Sequence, residues 1–181
     1  MNEANVYSID WSTWRPVDHA VIVFVRQDAQ LLLIRKKRGL GMGKINGPGG
    51  RLEQGESYLD AAIRETQEEV GIRPHTLRRG ADLSFVFTDG YSLYGEVFLA
   101  AGYTGTVVAT DEADPFWCPI DAIPYEQMWE DDKLWLPHVL DGAYVSARFV
   151  FQDDEMKSRE ISVLPPADSL NAGTPASPQS F

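Results

Sequence analysis

Two apolar runs, Ala-Val-Ile-Val-Phe-Val at 20–25 and Leu-Leu-Leu-Ile at 31–34, flank the polar stretch 26–30, whose length suits a hairpin connection. Neither run alternates polar with apolar. Strands so continuously rich in Val, Ile, Leu and Phe are buried on both faces, as in a sheet covered by helices.

The rest of the composition permits such an architecture. With 181 residues, 44% of them apolar, the chain can build one well-packed domain, and disorder throughout is excluded. The formal net charge of -11 repels phosphate backbones and anionic membranes, which argues against long nucleic acid or a membrane as partner. A small phosphorylated ligand remains possible where divalent cations or a local Lys/Arg cluster reverse the field. Cys118 is the lone cysteine; its neighbours Trp117 and Pro119 suggest a buried thiol, and a reducing, cytoplasmic location is the expectation. The opening residues, with Glu3 and Asp10, do not read as a signal peptide, and no apolar run is long enough to span a membrane.

Past the second run the chain turns basic, Arg35-Lys36-Lys37-Arg38, and then glycine-rich, with glycines at 39, 41, 43, 47, 49 and 50. Such density signals unusual dihedrals or close backbone approach to a ligand. Residues 57–70 read as a helix with Ser57 as N-cap, Asp60 at capping-box spacing and Gly71 as the stop, reinforced by Pro74. Further strands are expected at 83–88, 91–100, 106–109, 116–120 and 143–151. A second helix is expected at 133–141, with Pro137 in its first turn. The organisation expected is an N-terminal extension at 1–16, whose Trp11 and Trp14 can pack on the domain, a domain at 17–163 and a disordered tail at 164–181.

On the first helix, with Glu65 at zero and roughly 100° per residue, Glu69 falls near 40° and Glu68 near 300°, while Leu59, Ile63, Thr66 and Val70 gather at about 100–160°. Three like charges so close destabilise an isolated helix, so something must compensate. An oxygen-rich cluster suits a hard divalent cation such as Mg²⁺; a solvated acidic face is the plainer alternative. Arg64, beside this sector, can fork onto Glu56 or Glu53, or simply pair with Glu68 one turn on.

The segment Gly50-Arg-Leu-Glu-Gln-Gly-Glu56, then Arg64-Glu65-Thr66-Gln67-Glu68-Glu69-Val70-Gly71-Ile72, resembles the Nudix hydrolase box. Every fixed position matches except for a soft departure at Thr66, where the family carries a larger aliphatic residue. The resemblance implies an α+β fold, an α/β/α sandwich with a mixed sheet between helices. It also implies Mg²⁺-dependent hydrolysis of a nucleoside diphosphate derivative, with Mn²⁺ as possible substitute. In this family the carbonyl matching Gly49 and the acids matching Glu65, Glu68 and Glu69 hold the metal, with a further acid from a distant loop, here Glu112, Asp111 being the competing choice. Which acid is the base does not follow from the sequence; Glu65 is the choice made, with Glu68, Glu69 and Arg64 as the other catalytic candidates.

Residues 31–50, and 123–132 around Trp129, further resemble the oxidised purine nucleoside triphosphatase subfamily. By that resemblance Asn46 reads the purine edge, Trp129 stacks on the base and Asp131 and Asp132 hydrogen-bond it. Without it, Trp129 is ordinary core and the acids cap a helix. Lys36 or Lys37 faces the pocket. Leu40 and Pro48 stand where relatives have aromatic residues, which bears on base preference. The implied ligand is a small nucleotide, 8-oxo-dGTP or 2-hydroxy-dATP in type. ADP-ribose, a dinucleoside polyphosphate, an undamaged triphosphate or a non-catalytic sensing role are the alternatives.

Overall fold

The computed structural model describes residues 8–166. Its strands are β1 (Asp18–Gln27), β2 (Gln30–Lys36), β3 (Ile45–Asn46), β4 (Gly49–Arg51), β5 (Ile72–Phe87), β6 (Ser92–Gly105), β7 (Ala113–Pro119), β8 (Tyr144–Gln152) and β9 (Glu155–Leu164). The helices are α1 (Tyr58–Val70) and α2 (Asp132–Leu140). One sheet runs β3-β2-β1-β6-β5-β8-β9, with β4 added to β1 and β7 to β2. It is mixed: β1 with β6 and β5 with β8 are parallel, and the other pairs antiparallel.

The unbroken apolar character of β1 and β2 has its cause in two packed faces. Val21, Val23 and Val25, with Leu32 and Ile34, lie under Ala61, Ala62 and Val70 of α1. Phe24, Leu31 and Leu33 meet Trp135, Leu136 and Val139 of α2 on the other face. Each strand thus feeds two cores, the expected α/β/α sandwich. No helix among the described residues is long and apolar enough to cross a membrane.

Along one edge, β1 pairs with β4 through residues 20–22 and with β2 through residues 25–27. The fork between them is filled by the glycine segment, where the Val23 amide donates to the Pro48 carbonyl at 2.7 Å. A Cβ on Gly47 would stand 2.5 Å from the Val23 carbonyl oxygen, and one on Gly49 would stand 2.0 Å from that of Val21. Absence of side chains is what lets the loop seat itself against β1.

Several expectations need correction. The chain enters β5 directly at Ile72, and Pro74 lies within that strand, paired opposite Tyr103. It is tolerated because β8 joins β5 only from Ala81 onward, leaving the Pro74 region an edge. Residues 106–109 form no strand; the Val108 amide instead donates to the Val70 carbonyl at 3.0 Å, closing over the end of α1. Pro137 is interior to α2, not in its first turn. Lys133, one turn earlier, is exposed, so the carbonyl that Pro137 cannot engage lies on the solvent side. Strand β9 escaped detection because its polar edge-strand residues carry no burial pattern.

On the N-terminal segment, the Trp11 and Trp14 rings meet edge-on at 5.3 Å and Arg148 of β8 lies over Trp11 at 5.2 Å. Most of the expected tail, 167–181, lies outside the described residues, whereas its first residue, Leu164, ends β9.

Candidate active site

Helix α1 begins and ends as its sequence dictates. The Ser57 hydroxyl oxygen accepts the Asp60 amide at 3.1 Å, and Gly71 takes a left-handed φ of 79°. Its buried arc, however, is not the expected aliphatic one. Ala61, Ala62, Glu65, Thr66, Glu69 and Val70 face inward, while Leu59 is exposed. The acids therefore share the packed face with small side chains. Thr66 is fully buried, with its hydroxyl donating to the Ala62 carbonyl at 2.7 Å.

The glycine loop and β4 meet the acids on that face. The Gly49 amide donates to Glu69 Oε2 at 3.0 Å. A Cβ on Gly50 would stand 2.4 Å from the Glu65 carboxyl, so the missing side chain makes room for that group. Burial pushes the Glu69 carboxyl up to about 7, against the pull of the Gly49 amide and Lys36, with Glu65 and Glu112 adding repulsion. Burial raises Glu65 as well, opposed by its bond from Arg64.

Arg64 resolves both readings of its spacing at once. It grips Glu56 through Nε at 2.7 Å and Nη2 at 2.8 Å, reaches Glu65 at 2.8 Å and Glu68 at 3.1 Å, and donates to the Arg51 carbonyl at 3.0 Å. One guanidinium ties the loop to the helix; Glu53 is not among its partners. The same grip holds Glu56 down at about 2.

A cavity of about 390 Å³ opens from Glu65 and Glu69 along the sheet. Lys36, Arg38, Leu40 and Glu112 line it on the side of the basic turn; Lys37 points away, to Asp114 at 2.7 Å and the Thr110 carbonyl at 2.7 Å. Glu112 is paired with Arg38, and Asp111 is exposed and not part of the lining. Glu68 stands outside the lining, its carboxylate half exposed and bonded to Arg64. Among the described residues no three acidic, His or Cys side chains converge on one point, because Arg64, the Gly49 amide and Arg38 each hold a glutamate separately.

The same cavity is also lined by Asn46, Trp129, Asp131 and Asp132. Neither aspartate caps α2 through its side chain. Asp131 Oδ2 accepts the Trp135 indole N–H at 2.8 Å, Asp132 Oδ2 accepts the Trp129 amide at 3.0 Å, and Asp131 Oδ1 is buried without a partner among the described residues. Both carboxyls are almost fully buried. Burial lifts Asp131 to about 6 and Asp132 well above the usual range, the latter also repelled by Asp131. A buried acceptor without a partner is costly in a closed core and purposeful in a pocket that receives a polar ligand.

The residues that sequence reasoning missed form the aromatic wall: Phe85, Phe87 and Tyr91, from the hairpin joining β5 to β6. The i, i+2 spacing of Phe85 and Phe87 on one strand face was the available signal. These rings, not residue 40 or 48, supply the aromatic surface; Leu40 is 42% exposed at the rim and Pro48 is buried outside the lining.

A profile of the NUDIX domain matches residues 16–139. The chain is 40% identical over 136 residues to an oxidized purine nucleoside triphosphate hydrolase of Danio rerio, covering 75% of this chain and 87% of the relative. It is 37% identical over 135 residues to the protein of the same description from Mus musculus, covering 74% and 86% respectively. Among solved structures, the crystal structure of a MutT protein from Bacillus halodurans matches with a TM-score of 0.73 at 26% identity, over 80% of this chain and 97% of that one.

Proposed function

The chain belongs to the NUDIX domain family, and from that premise we propose that it hydrolyses purine nucleoside triphosphates bearing an oxidised base, yielding the monophosphate and pyrophosphate. The observation that carries this reading is one cavity lined both by carboxylates and a lysine, Glu65, Glu69, Glu112 and Lys36, and by a Trp, an amide and two buried carboxyls, Trp129, Asn46, Asp131 and Asp132. Hydrolases of this family act on small nucleotides and need a divalent metal ion; Mg²⁺ is the ion proposed here, with Mn²⁺ as substitute.

The residues present fit such an ion. Glu65 and Glu69 are two buried carboxylates that repel each other and Glu112, and a hard cation would relieve that repulsion while using their oxygens as donors. The Gly49 carbonyl, Glu65, Glu69 and Glu112 would hold it, with Glu68 swinging in from Arg64. When bound, it supplies charge neutralisation at the phosphates and acidifies water.

What the chain's own groups do follows from their placement. Lys36, in the same lining, offsets phosphate charge. Glu65, given room by Gly50, takes the proton of the attacking water while Arg64 orients its carboxyl. Net, one water adds across the α–β phosphoanhydride. Trp129 offers a stacking face and Asn46 an amide. Asp131 and Asp132, kept protonated more readily by burial, can donate as well as accept, which suits a base edge altered by oxidation.

Turnover of 8-oxo-dGTP and 2-hydroxy-dATP against dGTP, dATP and ADP-ribose, with Mg²⁺ or EDTA and chromatographic separation of the nucleoside monophosphate formed in each case, tests the reading. Preference for an oxidised triphosphate, abolished by EDTA, is the expected result. Equal or better turnover of the undamaged compounds or of ADP-ribose overturns it.

A further inference from the structure

Lys44 ends the glycine-rich loop, its amide donating to the Gly41 carbonyl at 2.9 Å and its carbonyl accepting from the Lys36 amide at 3.0 Å. Its ammonium sits over the Trp129 ring, 4.9 Å from the centroid. The same nitrogen pairs with Asp154 at 3.0 Å, in the turn between β8 and β9. Lys44 does not line the cavity, whereas Trp129 does. Two further rings contact it at steep angles: Phe151 at 5.5 Å and 82°, and Phe87 at 6.1 Å and 69°. The loop backbone closes on its indole nitrogen, since a Cβ on Gly41 would stand 2.9 Å from it.

From this arrangement we infer that Lys44, tethered by Asp154, is a specificity-determining positioning residue that acts through the Trp129 ring on the bound base. A cation on one face of an indole is attracted to the ring's negative quadrupole and draws its electron density toward itself. The opposite face is left poorer in electrons, and a purine made richer in electrons by an added oxygen stacks on it more strongly. Asp154 is exposed, so the ion pair adds little energy and serves to hold the ammonium over the ring. The inference rests on the reading that Trp129 stacks on the base.

Calorimetric binding of 8-oxo-dGMP, with steady-state kinetics on 8-oxo-dGTP, tests both separately. Lys44→Gln should weaken 8-oxo-dGMP binding roughly 3- to 10-fold while changing dGMP binding by less than about twofold, with the loss falling on KM for 8-oxo-dGTP and not on kcat; an equal loss for dGMP would overturn the specificity role. Lys44→Arg, which can still stack and reach Asp154, should restore 8-oxo-dGMP binding. On a Trp129→Ala background, Lys44→Gln should have no further effect. If Trp129→Ala itself binds as tightly as the parent, the stacking reading fails. If Trp129→Ala weakens binding while Lys44→Gln does not, or Lys44→Gln costs as much without the ring as with it, only the role of Lys44 fails.

Discussion

The backbone amide of Gly49 donates to the carboxylate of Glu69 across 3.0 Å, joining the glycine loop to the inward face of α1. The bond holds a buried, readily protonated carboxyl beside the cavity. Glu69→Gln keeps an oxygen to accept that amide while removing the charge. Turnover should fall by orders of magnitude with folding intact, as measured by kcat and by circular dichroism melting. A variant that retains turnover would remove Glu69 from the catalytic set.

The adjacent glycines should fail in different ways. A Cβ at 49 meets the backbone oxygen of Val21, which cannot move without the sheet, so Gly49→Ala should cost about 1–3 kcal/mol in urea unfolding. The nearest atoms to a Cβ at 50 belong to the Glu65 carboxyl, the end of a side chain and not backbone. Gly50→Ala should therefore unfold close to the parent midpoint yet lose most activity as Glu65 is displaced. Equal stability losses in both variants would contradict this division.

Arg64→Lys retains a charge but not the fork that spans Glu56, Glu65 and the Arg51 carbonyl. A loss of about 2 kcal/mol of stability is expected, since hydrogen bonds to charged groups carry that order of energy. kcat/KM should fall together with it. The measurement is paired denaturation and kinetics; a variant equal to the parent in both would show the fork to be dispensable.

Asp131 and Asp132 make stability pH-dependent. Their folded-state values lie above the ordinary carboxyl value of 3.8, Asp131 at about 6. Between 3.8 and about 6 the folded chain thus binds more protons than the unfolded one. Unfolding free energy from Asp131 falls as pH rises through that window, and Asp132, raised by burial and by Asp131, adds a loss of the same sign. Asp132→Asn, which cannot ionise, should melt a few degrees higher than the parent at pH 7.5, with the gap closing near pH 4. A gap of the opposite sign, or one independent of pH, would count against the argument.

Local chemistry was legible along the chain. Ser57 and Gly71 bound a helix by capping alone, and two-faced strands are written in the unbroken apolar character of residues 20–25 and 31–34. The polar strand β9 was not legible, because an edge strand needs no buried side, and the first half of β5 was not, because its burial alternates only over residues 72–75 before giving way to mostly exposed ones. The inward face of α1 was misjudged for a related reason. A helical wheel ranks positions by hydrophobicity, whereas here the packed face belongs to alanines and carboxylates drawn against a glycine backbone.

The order of acids, arginine and glycines along 49–71 settled by itself which groups could share a site, since capping, helical spacing and glycine's lack of a side chain act over a few residues. Only the folded chain decided that Phe85, Phe87 and Tyr91 wall the cavity, that Lys37 turns away while Lys36 turns in, and that Lys44 lies over Trp129. Those relations join segments far apart in sequence. They arise from sheet order and the competition of whole faces for burial, and no local propensity encodes them.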